Sequence, residues 1–90
     1  MFIVDRVVPG LTAELLAEAQ RCLQSAVSRV SADGEVVRYL RCTVVAEQQL
    51  CLDLFEAVSA DTVRRVNDIA QLPFRWIGQA WEDVAPGLAT

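Results

Sequence analysis

There is no histidine and no lysine in this chain, and the two absences remove a good deal of chemistry. Without imidazole the chain lacks the commonest general base, the commonest transition-metal ligand and the usual pH switch. A Ser-His-Asp arrangement is excluded outright, although Ser25, Ser28, Ser31 and Ser59 are present. All 8 basic residues are arginines, set against 12 acidic residues, so the formal net charge is −4. No basic run offers itself to nucleic-acid phosphates or to an anionic membrane surface, so neither is an expected partner. No apolar stretch reaches the about 18 residues that a membrane-spanning helix needs. Cysteine is scarce as well. Cys22, Cys42 and Cys51 are odd in number and contain no close pair, which fits neither a disulfide framework nor a zinc-finger spacing. Each reads as a small buried hydrophobe. The opening Met1–Arg6 lacks the basic and long apolar regions of a signal peptide, so a cytoplasmic protein is expected.

What the chain has in quantity is apolar residues, 53% of 90 positions counting Ala and Cys. A domain of this length buries its core with little margin. An apolar content this high therefore points to a second apolar surface, covered by another subunit. The order of elements follows from period and punctuation. Phe2–Val8 is a β-branched run closed by Pro9-Gly10. Thr12 is placed as an N-cap, and the apolar residues Leu15, Leu16, Ala19, Cys22, Leu23, Ala26, Val27 and Val30 repeat at helical spacing, predicting a helix over about 13–30. Two extended runs, 36–46 and 49–57, flank Glu47-Gln48 and read as a hairpin. Ser59 caps a shorter helix carrying Val63, Val66, Ile69 and Ala70, which Leu72-Pro73 ends. A last strand is expected over 74–84, and a short frayed tail over 86–90. The sequence βαββαβ is that of the split βαβ, or ferredoxin-like, plait: an α+β fold with a four-stranded antiparallel sheet and two helices on one face. One such domain, spanning 1–85, accounts for the chain.

Alternation in the hairpin predicts the faces of the sheet. Leu50, Leu52 and Leu54 alternate with Cys51, Asp53 and Phe55, and Leu40, Cys42 and Val44 alternate with Tyr39, Arg41 and Thr43. The simplest pairing turns the leucine row and Leu40, Cys42 and Val44 toward the helices. A three-residue connection, Ala46–Gln48, then sets Arg41 across from Asp53 and Tyr39 across from Phe55 on the open face, two favourable cross-strand pairs. In the first strand Phe2 and Val4 face one side and Ile3, Asp5 and Val7 the other, which brings Asp5 to Arg41 and Asp53. Either Trp76 or Trp81 joins that face. The candidate ligand-binding or interface residues are therefore Asp5, Tyr39, Arg41, Asp53 and Phe55. Asp5 and Asp53 read either as paired carboxylates for acid–base work or a divalent cation, or as structural partners of Arg41. Cys42 and Cys51 are expected on opposite faces, so they do not converge on a metal.

The junctions carry a resemblance. Phe2-Ile3-Val4-Asp5-Arg6-Val7-Val8-Pro9-Gly10-Leu11-Thr12, then Leu54-Phe55-Glu56-Ala57, Val63-Arg64 and Leu72-Pro73, resemble the strand–helix junctions of a family of small bacterial ferredoxin-like domains of unknown function, one branch of which includes a nickel-binding protein. The resemblance implies a plait fold and a dimer. Members commonly carry a His in the second helix, at a register that Val66 occupies here. Three functions follow as expectations. The first is a dimeric, cofactor-free module that binds a small molecule or a partner through its open sheet face, and is not an enzyme. The second is a cofactor-free plait-dimer enzyme of the isomerase, cyclase or monooxygenase type, using Asp5, Asp53, Arg41 or Tyr39. The third is a nickel-binding protein, by family resemblance.

Overall fold

The Pro9-Gly10 breaker, the two N-caps and the alternating runs produce the expected elements in the computed structural model, which describes residues 1–83. They are β1 (Phe2–Val7), α1 (Ala13–Ala32), β2 (Val37–Val45), a 3₁₀ turn (Ala46–Gln48), β3 (Leu50–Ala57), α2 (Ala60–Ile69) and β4 (Trp76–Gln79). The expected end of the domain at 85 and the tail 86–90 lie outside the described residues. Gly10 takes φ +72°, which closes the turn into α1. The Thr12 hydroxyl then accepts from the Leu15 N–H at 3.1 Å, and the Ser59 hydroxyl accepts from the Thr62 N–H at 3.3 Å. Each satisfies one of the donors that a helix start leaves orphaned.

All strand pairs are antiparallel, in the order β2-β3-β1-β4. This is the ferredoxin-like plait. β4 is shorter than the expected 74–84 run. It is an edge strand, and it pairs only where β1 runs beside it, Phe2 across from Gln79 through Asp5 across from Trp76. The core lies between helices and sheet, built from Leu23, Ala26 and Val30 of α1, Val63 and Val66 of α2, and Val4, Val37 and Phe55 of the sheet.

β3 and Tyr39 face the reverse of the expectation, whereas Cys42 and Val44 turn to the helices and Arg41 and Thr43 to the open face as expected. Tyr39 does pair with Phe55, but Leu40 is an extra residue in β2. Leu40 and Arg41 together oppose Leu54, a β-bulge that moves every later pair by one. Cys42, not Arg41, stands across from Asp53, and the strands close at Val45 across from Leu50. The connection is therefore four residues, with Gln49 added in the left-handed region at φ 51°. Cys51, Asp53 and Phe55 face the helices, while Leu50, Leu52 and Leu54 share the open face with Ile3, Asp5 and Val7, their partners in β1.

Candidate functional site

β1 brings Phe2, Val4 and Arg6 to the helix side of the sheet, so an arginine sits at an inward position at the end of an apolar row. Its side chain is 4% exposed and ion-pairs with Asp53, which is 3% exposed. A buried charge survives only when paired and hydrogen-bonded, and here the pairing is complete. Arg6 Nε donates to the Pro73 carbonyl at 3.0 Å, Nη1 to Asp53 Oδ2 and Nη2 to Asn67 Oδ1. The Tyr39 hydroxyl donates to Asp53 Oδ1 at 2.7 Å, and Gln20 Nε2 of α1 donates to the Tyr39 oxygen at 3.4 Å. Asn67 Nδ2 returns to the Val63 carbonyl at 2.8 Å. This network ties β1, β2, β3, α1, α2 and the α2–β4 connection together. Burial, and then the Asp53 carboxylate at its hydroxyl, push Tyr39 well above the ordinary phenol range, so it stays a hydrogen-bond donor.

Of the expected site residues, then, Tyr39, Asp53 and Phe55 meet, but beneath the helices and not on the open face. Tyr39 and Phe55 pack ring to ring, with centroids 5.1 Å apart and planes tilted by 30°. Asp53 is turned inward with Phe55, two residues on in β3 and on the same face, and the cost of burying it is met by Arg6, a partner that the sequence reading left unused. The signal was available: Arg6 follows Phe2 and Val4 at period two, and Asn67 follows Val63 at one helical turn. Both sit on apolar faces and so require partners.

Asp5 and Arg41 do lie on the open face, but apart. Asp5 accepts from Arg75 Nε at 2.7 Å and Arg75 Nη2 at 2.9 Å, and these bonds hold its carboxyl below the usual carboxylate range. Arg41 pairs with Glu82. Asp5 and Asp53 point to opposite sides of the sheet and form no carboxylate pair. Between them in space the open face is apolar: Ile3, Val7, Leu50, Leu52 and Leu54, with Trp76 across from Asp5. Trp76 is 49% exposed and reaches over Gly78, where any Cβ would collide with the indole ring. Trp76 is thus the tryptophan on the open face of the sheet, and Trp81, beyond β4, is 82% exposed.

Beneath the N-terminal half of α1, where Leu15 is exposed and Leu16 half-buried, a cavity of about 20 Å³ is lined by Leu11, Leu15, Leu16, Ala19, Leu23 and Cys51, with Arg6, Asp53 and Gln20 beside it. That volume holds about one water. Cys42 and Cys51 also face the helices together, a correction to their expected divergence. Burial first, and next the nearby Asp53 charge for Cys42, push both thiols up, so they remain protonated. Nickel is best served by imidazole and comparable ligands. The chain has none, Asp53 is already engaged, and Val66, at the register where a His was expected by resemblance, is fully buried in the core. Among the described residues no group of three or more Cys, Asp or Glu side chains is placed to hold a metal ion. The donor set does not fit nickel.

Sheet order and helix placement define a small α+β plait domain of the ferredoxin-like type. Residues 2–79 match the family described as nickel responsive protein SCO4226-like, and the chain belongs to that family. Its fold is similar to the crystal structure of SCO4226 from Streptomyces coelicolor A3(2), with a TM-score of 0.77 and 19% identity over 92% of this chain and 98% of that one. No curated protein matches the sequence. No helix among the described residues is long and apolar enough to cross a membrane.

Proposed function

We propose that this chain is a small interaction or ligand-binding module that works as a homodimer, two copies pairing through the open faces of their sheets. The observation that carries this reading is the composition of that face. The half-buried Ile3, Leu50 and Leu52 and the exposed Trp76, set around a buried Leu54, form an apolar surface that no helix among the described residues covers, and contiguous apolar exposure marks interfaces and grooves. The Arg41–Glu82 pair lies at the β2 side of this surface, and within it the buried Asp5 carboxylate, across from Leu52, is neutralised by Arg75. A ligand site in such a pair would lie between the two sheets. The buried network favours a structural role over catalysis for Tyr39 and Asp53. Both already have partners, and the space beside them holds about one water, whereas a substrate pocket takes about 300 Å³ or more.

Replacing Leu52, at the centre of the face, with Arg tests the reading. Sedimentation velocity should show a dimer for the unaltered chain and a folded monomer for Leu52→Arg. Equal sedimentation of the two would remove the sheet face as the interface. Native mass spectrometry of the purified chain would show in the same experiment any small molecule or metal carried with it.

A further inference from the structure

Eight arginines are distributed in this acidic chain, and six of them are engaged. Arg6, Arg38, Arg41, Arg65 and Arg75 each pair with a carboxylate. Arg64 lies over the Phe74 ring, 5.5 Å from its centroid. The two that remain, Arg21 and Arg29, have no carboxylate within salt-bridge distance among the described residues, and both line the same groove between α1 and α2. It measures about 460 Å³. Its other walls are Cys22, Ser25 and Ala26 of α1, and Ile69, Ala70 and Gln71 at the end of α2. In a chain of net charge −4, two uncompensated cations concentrated in one groove make a local site of the opposite sign.

We propose that this groove docks an extended acidic segment of a partner protein. Arg21, Ser25 and Arg29 stand one helical turn apart along one face of α1, so the two arginines are about 12 Å apart along the helix. Extended chain advances about 3.4 Å per residue and returns to the same face every second residue. Two acidic side chains four positions apart therefore present carboxylates at matching separation, each to a guanidinium that receives it bidentately. Between the arginines the floor is small or apolar, Ser25, Ala26, Ile69 and Ala70, and accepts a small side chain at the middle position. The groove is open along one side, which suits a segment of chain. A free small molecule is bound by a site that encloses most of its surface. The groove lies on the helix side, so pairing through the sheet leaves it accessible, and this proposal does not depend on the dimer.

Cys22 supplies a reporter, because it is the exposed thiol in the groove wall, whereas Cys42 is half-buried and Cys51 buried. The probe is a fluorescein-labelled extended octapeptide with two Glu residues four positions apart, compared with the same peptide carrying Gln at both. Anisotropy should show binding of the Glu peptide alone, weakened about three- to fivefold by Arg21→Gln or Arg29→Gln and more by both together. Arg38→Gln, an exposed change on the sheet, should leave it unaltered. The Glu peptide should slow alkylation of Cys22. The three substituted positions are exposed, and circular dichroism of each variant should match that of the unaltered chain. Equal binding of the Gln peptide, an equal loss in Arg38→Gln, unchanged Cys22 alkylation, or no binding of the Glu peptide would overturn the proposal. Binding of a free dicarboxylate as tight as that of the peptide would overturn its assignment to a protein segment.

Discussion

Asp53 concentrates the difference between a residue read in sequence and the same residue placed in the fold. Read along β3 it is a carboxylate alternating with leucines, and it suits an exposed face. In the folded chain it is the acceptor at the centre of a buried network, taking one bond from Arg6 and one from Tyr39. Breaking a buried ion pair from one side leaves the other charge unpaired and costs about 3–5 kcal/mol. Asp53→Ala should therefore lower stability by about that amount in urea denaturation. Asp53→Ala combined with Arg6→Met should recover a large part of the loss, since the stranded guanidinium is then gone. If the double variant is as unstable as the single, the penalty is not that of an unpaired Arg6. Phe55 was legible as an aromatic partner of Tyr39, and the pair forms. Its side of the sheet was not legible, because the row Cys51, Asp53, Phe55 and the row Leu50, Leu52, Leu54 are both apolar enough to be cores.

At the scale of elements, caps and breakers are local and were readable. Thr12 and Ser59 cap as expected, because an N-cap needs only its own hydroxyl and an N–H three residues on. The end of α2 shows the same local logic at a less suited residue. Gln71 takes φ 58°, and the Leu72 N–H reaches back to the Asn67 carbonyl at 3.1 Å, closing a Schellman-type turn that usually uses glycine. Gln71→Gly should stabilise the chain by about 0.5–1 kcal/mol, the relief of the left-handed conformation less the added freedom of the unfolded chain. A thermal melt unchanged or lowered by the substitution would contradict this. The bulge at Leu40 belongs to the same scale but had no local signal. It takes up the one-residue difference between a four-residue connection and the Tyr39–Phe55 pairing. Nothing in either stretch alone specifies where that difference is absorbed.

For the whole molecule, β4 matters most, since this edge strand closes the sheet with four residue pairs. The Arg75 N–H donates to the Asp5 carbonyl at 2.7 Å, and the Arg75 guanidinium holds the Asp5 carboxylate. The hydrogen bonds from Arg75 lower the folded pKa of Asp5. The stability they contribute is present above the unfolded carboxylate pKa of about 4, and is lost as pH falls through the lower folded value. Asp5→Asn should thus be less stable than the unaltered chain near neutral pH, with the difference shrinking below about pH 4. Urea midpoints measured across that range would show a constant difference if Asp5 held its place for another reason. The element order, the two capped helices and the plait were determined by the sequence alone, because period, caps and breakers act over a few residues. The face that Asp53, Tyr39 and Phe55 occupy was decided only by tertiary structure. Alternation specifies two faces but not which one meets the helices. That choice fell to Arg6, 47 residues from Asp53, whose buried charge required a carboxylate beside it.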